Sequence, residues 1–68
     1  MHRYRITLVN DESSETLKID SFSMEEAIQE AIEICLLDDI TQVLCQEIGI
    51  VLADEEPFIK ERVLGYKL

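Results

Sequence analysis

The sequence predicts an α+β domain: a small three-stranded antiparallel sheet, ββααβ in order, packed against one long and one shorter helix. Three observations carry this prediction. Apolar residues alternate with period two at both ends, a capping box opens a run with helical period in the middle, and apolar residues make up 47% of the chain. That fraction, recurring with period, excludes a charged unfolded tail. A chain of 68 residues buries only roughly 60% of its unfolded surface, so residues 1–68 are expected to form a single domain around one core, with little room for an enclosed active site.

Tyr4, Ile6 and Leu8 alternate with Arg3, Arg5, Thr7 and Val9, which predicts a strand over about 3–9. The polar run Asn10-Asp11-Glu12-Ser13-Ser14 turns the chain. Alternation resumes from Glu15 to Ser21, with Leu17 and Ile19 on one face and Lys18 and Asp20 on the other, completing a β-hairpin.

Ser23-Met24-Glu25-Glu26 is a capping box: the serine hydroxyl accepts from the amide of Glu26, and that glutamate reaches back to the serine amide. Met24, Ala27, Ile28, Ala31, Ile32 and Cys35 then form one apolar stripe, opposite Glu25, Glu26, Gln29, Glu30 and Glu33. This helix is expected to end near Leu37, where Asp38-Asp39 interrupts the pattern.

Residues 40–53 fit two templates. At helical spacing Ile40, Val43, Leu44, Ile48, Val51 and Leu52 share a stripe behind an Asp39 cap, and this shorter helix is the favoured assignment. The alternative is a strand from Gln42 to Ile48, a turn at Gly49 and a second strand at 50–52. The last segment, 58–67, alternates Phe58, Lys60, Arg62 and Leu64 against Ile59, Glu61 and Val63 and is assigned as the third strand rather than a helix, because a lone hairpin needs further support.

The formal charge of −9 is unevenly spread. Residues 1–10 and 57–68 carry +2 each, and residues 11–56 carry 14 acids against Lys18 alone, for −13. Such a chain is repelled by nucleic acid and by anionic lipid, so the expected partner is a protein with a basic surface. If both basic ends are strands of one sheet, they lie side by side. Arg3, Arg5, Lys60, Arg62 and Lys67 would then make a basic face, the one route by which this chain would meet nucleic acid directly.

Little in the residues points to catalysis. His2 is the sole histidine, and it stands beside the chain start, so a nucleophile has no ordered base. Zinc wants four close Cys or His ligands, and His2, Cys35 and Cys45 are three, far apart. Asp54-Glu55-Glu56 lacks the alternation and central glycine of a calcium loop. Two glycines build no phosphate cradle. No cofactor, metal or enzymatic activity is expected. Cys35 and Cys45 sit among apolar residues and are expected to be reduced core thiols; with no signal-like or membrane-length apolar segment, a cytoplasmic location is expected.

The acidic helix face remains. Glu26, Glu30 and Glu33 form a row at i, i+4 and i+7, with about 6 Å between the first two, and the helix has no cation of its own to relieve them. Glu25, Asp38 and Asp39 extend the row, and Asp54, Glu55 and Glu56 are assigned as flanks of the same partner-binding surface.

The order strand, turn, strand, then Ser23-Met24-Glu25-Glu26-Ala27 opening a helix, resembles small phage and mobile-element proteins that inhibit host machinery. Acidic nucleic-acid mimics, anti-CRISPR and anti-restriction proteins and small RNA polymerase inhibitors are among them. The resemblance lies in size, charge and element order over the first half of the chain, and assigns no role to any residue. It implies a non-catalytic module whose acidic surface engages a basic site. The alternative is a small assembly protein that pairs with itself, as a homodimer, through open sheet edges.

Overall fold

The structure is a computed structural model and describes residues 1–51 and 62–66. Strand β1 (His2–Val9) and strand β2 (Ser13–Ser21) form the expected hairpin. Helix α1 (Met24–Ile34) follows, then strand β3 (Gln42–Ile50) and strand β4 (Arg62–Tyr66). All pairings are antiparallel, and the sheet order is β3-β1-β2-β4. The α+β class therefore stands, built among the described residues as ββαββ, with four strands where three were expected and one helix where two were.

The missing second helix is the main correction. Residues 42–50 lie along β1, from Val9↔Gln42 to His2↔Ile50, with a shift between Arg3 and Tyr4 that leaves Ile48 as the extra residue of a bulge. The apolar spacing that fits a helix also supplies Val43 and Cys45 to one side of a strand, and β1 offered an unpaired edge whose backbone groups this segment satisfies. Gln42 and Gln46 on one side and Glu47 on the other give β3 polar residues on both sides. On an edge strand they cost little, because neither side is fully covered. Gly49 lies within the strand beyond the bulge and makes no turn. The two basic ends share the sheet as expected but are not neighbours: β4 pairs with β2, from Leu17↔Arg62 to Ser13↔Tyr66. The expected strand residues 58–61 and 67 lie outside the described residues.

Directly opposed residues share a side of the sheet. On the helix side the ranks run Glu47–Tyr4–Ile19, Cys45–Ile6–Leu17–Arg62 and Val43–Leu8–Glu15–Leu64. Tyr4, Ile6, Leu8, Leu17 and Ile19 close with Ala27 and Ala31 of α1 into the core, and Ile28, Ile34, Cys35, Ile40, Val43 and Cys45 pack around it. Small alanines at the contact let the short helix lie close to the sheet. Neither cysteine forms a disulfide, and both are half-buried beside the core rather than sealed in it. The other side of the sheet carries Arg3–Asp20, Arg5–Lys18 and Thr7–Thr16 as cross-strand pairs. No described helix is long and apolar enough to cross a membrane.

Candidate functional site: an acidic helix flank and end groove

The N-terminus of α1 is built as the capping motif requires in one half only. Ser23 has extended backbone, and its Oγ accepts from the Glu26 amide at 3.2 Å. The Glu26 carboxylate, however, accepts from the Ser21 hydroxyl at 3.4 Å, which draws that side chain toward the end of β2. The helix ends at Ile34 with Cys35 as its cap, one turn earlier than expected, and the Cys35 amide donates to the Ala31 carbonyl at 2.9 Å.

The helical period fixes what each flank carries. Ala27 and Ala31 face the sheet. Glu26, Glu30 and Glu33 fall on the flank that the Ser21 contact turns toward β2, the same side on which Arg62 of β4 donates to the Ile34 carbonyl at 2.7 Å. Met24, Ile28, Ile32 and Cys35 fall on the opposite flank. Glu25, Glu26 and Glu33 are exposed, and Glu30 is half-buried. The structure thus brings Glu26, Glu30 and Glu33 together as a row and sets Glu25 apart, near the top of the helix.

Asp38 and Asp39 do not cap a second helix. They sit in the connection from α1 to β3, both exposed, with Asp39 in the left-handed region at φ 51°. Asn10 holds this connection against the hairpin turn: its Nδ2 donates to the Asp38 carbonyl at 2.9 Å, while its Oδ1 accepts from the amides of Glu12 and Ser13 at 2.8 and 2.7 Å. Asp11 and Glu12 thereby meet Asp38 and Asp39 across an open groove of about 410 Å³, floored in part by Leu36 and Leu37. Asp11 and Glu12 escaped sequence reasoning because turn composition explained them; only the Asn10 bridge, spanning 28 positions, reveals them as neighbours of the later acids. Asp54, Glu55 and Glu56 lie outside the described residues.

A second group escaped prediction entirely. Glu15 falls on the apolar side of β2 and is fully buried. One carboxylate oxygen accepts from the Leu36 amide at 3.0 Å, and the other lies 3.6 Å from Nε of Arg62. Its position two before Leu17 is the only signal the sequence gives.

Among the described residues, Arg62 does not join Arg3 and Arg5 in the basic face that the two ends would make together. Arg62 stands on the helix side of the sheet, whereas Arg3 and Arg5 stand on the other. Arg3 donates to both oxygens of the buried Asp20, at 2.8 and 3.1 Å. Lys60 and Lys67 lie outside the described residues. Among the described residues, no three His, Cys, Asp or Glu side chains converge to hold a metal ion. His2 pairs with Glu47 at the edge of the sheet.

The described residues form a small α+β fold whose surface carries an acidic helix flank and an acidic end groove. No family model, curated protein or solved structure matches the chain.

Proposed function

We propose that the protein is a non-catalytic binding module whose acidic surface engages a basic site on a partner protein, in the manner of an inhibitor that occupies a nucleic-acid groove. The observation that supports it is the row Glu26, Glu30 and Glu33, gathered on one flank of a helix that has no Lys or Arg of its own. A surface optimised only for stability intersperses charges of both signs. Arginine forks bind carboxylate and phosphate through the same paired N–H geometry, so a row of carboxylates fits a groove built for a phosphate backbone. Asp11, Glu12, Asp38 and Asp39 extend the negative potential past the helix end, where it steers a basic partner into contact.

Affinity capture from a host lysate, with mass spectrometry, tests this reading against the triple variant Glu26→Lys, Glu30→Lys, Glu33→Lys, its fold checked by circular dichroism. Wild type is expected to retain a basic protein, to lose it on moving from low to moderate salt, and to lose it to added nucleic acid. Capture that is indifferent to salt, or equal for the triple variant, would remove the electrostatic account.

A further inference from the structure

We propose that the outer edge of β3 pairs with β3 of a second copy, antiparallel and about a two-fold axis, so that two four-stranded sheets become one of eight strands. This rests on the opposite side of the molecule from the acidic row and does not depend on it.

The edge itself is the first observation. β3 is nine residues long and ends the sheet, and nothing among the described residues pairs with its outer side. Edge strands are ordinarily protected by lysine, proline, brevity or an inward-facing charge. From Gln42 to Gln46 there is no charged residue and no proline, and the bulge lies beyond, at Ile48. Leu44 is 52% exposed on the side away from the helix, and Val43 and Cys45 are only half-buried on the other.

Charge distribution selects the occupant. Two copies carrying −9 each repel wherever their acids meet. The row Glu26, Glu30 and Glu33 lies on the β2 and β4 side of α1, so pairing through β3 holds the two rows at opposite ends of the joined sheet. The centre of the pairing is neutral, Gln42 to Gln46 of each strand, with Glu47 beside His2 past one end and Asp39 three positions before the other. The helix flank turned toward β3 carries Ile28 and Ile32, with Glu25 toward one end at its outer margin, and Ile32 is 50% exposed although it belongs to the buried stripe by spacing. A foreign strand added to this edge would leave Ile32 uncovered. A second copy brings its own α1, and the two Ile28 and Ile32 flanks then face each other over the paired β3 strands, as an isologous contact requires.

Light scattering after gel filtration over a wide concentration range tests the proposal on the full chain. Wild type is expected at twice 7.9 kDa, and the double variant Leu44→Lys, Ile32→Lys at the monomer mass with unchanged circular dichroism. A wild type that stays monomeric throughout, or a double variant that stays dimeric, overturns it. If the variant does not fold, hydrogen exchange of wild type decides. The outward amides of 42–46 slow as concentration rises if the edges pair, and concentration-independent exchange there overturns the pairing.

Discussion

Tyr4 is buried and Cys45 half-buried on the helix side of the sheet, and both resist losing a proton. Burial pushes the Cys45 thiol above its ordinary 9.0. Burial first, then the charges of Glu47 and Cys45, pushes the Tyr4 hydroxyl above its ordinary 10.0. The folded chain therefore holds protons that the unfolded chain releases, so their contribution to stability is full below about pH 9 and is lost as pH rises through the raised values. The urea midpoint is expected to hold steady up to about pH 9 and then to fall, with Cys45→Ala delaying the onset toward the tyrosine range. A midpoint that rises across this window contradicts the assignment. Buried Glu15 teaches something different about single residues. Its phase relative to Leu17 and Ile19 is visible in the sequence and marks it as a polar side chain on an apolar side. Its partners are not visible, because Leu36 and Arg62 come from segments 21 and 47 positions away.

At the scale of elements, the hairpin and α1 were legible because their signals are local: strict alternation through Tyr4, Ile6 and Leu8, a Ser23 cap, and a stripe of period 3.6. β3 was legible only as the alternative strand from Gln42 to Ile48, because the choice of strand over helix is decided by an edge of β1 that no nearby residue encodes. β4 stands between these cases. Its alternation of Arg62 and Leu64 against Val63 agrees with its register on β2, but the neighbour itself was not foreseeable. Five residues in one ladder is a short attachment, and Arg62 reinforces it by reaching both the Glu15 carboxylate and the last turn of α1. Arg62→Ala is expected to cost about 1–3 kcal/mol, since it strips a buried carboxylate of its counter-charge. Combining it with Glu15→Leu is expected to recover part of that loss. Urea unfolding of the wild type, both single variants and the double variant gives the coupling, and strictly additive losses would show that the two side chains act independently.

For the molecule as a whole, the charge of −9 is polarised, though along different lines from those the chain order suggests. The acids do gather on α1 and at the end where Asn10 meets Asp38, as their density in the middle of the chain implies. Among the described residues, Arg3, Arg5 and Lys18 share the side of the sheet away from the helix, and Arg62 stands on the other. Self-repulsion of so many carboxylates works against compactness and is screened by salt. Raising sodium chloride from about 0.02 M to about 0.5 M, which shortens the screening length several-fold, is expected to raise the urea midpoint. The same addition is expected to weaken capture of a basic partner, so stability and binding should move in opposite directions. A midpoint insensitive to salt would mean that the acids lie too far apart to strain the fold.

The central position of β1 also sets the order in which the chain assembles. Val9 and Ser14 are five positions apart, whereas Val9 and Gln42 are 33 apart. The hairpin closes a short loop and forms early, on a scale of roughly microseconds. β3 must then find the other side of the same strand across a much longer loop. During synthesis the hairpin and helix emerge first, with the free side of β1 open until residue 50 has left the ribosome. Strand β2 waits longer still for its own second neighbour, because Leu17 and Arg62 are 45 positions apart.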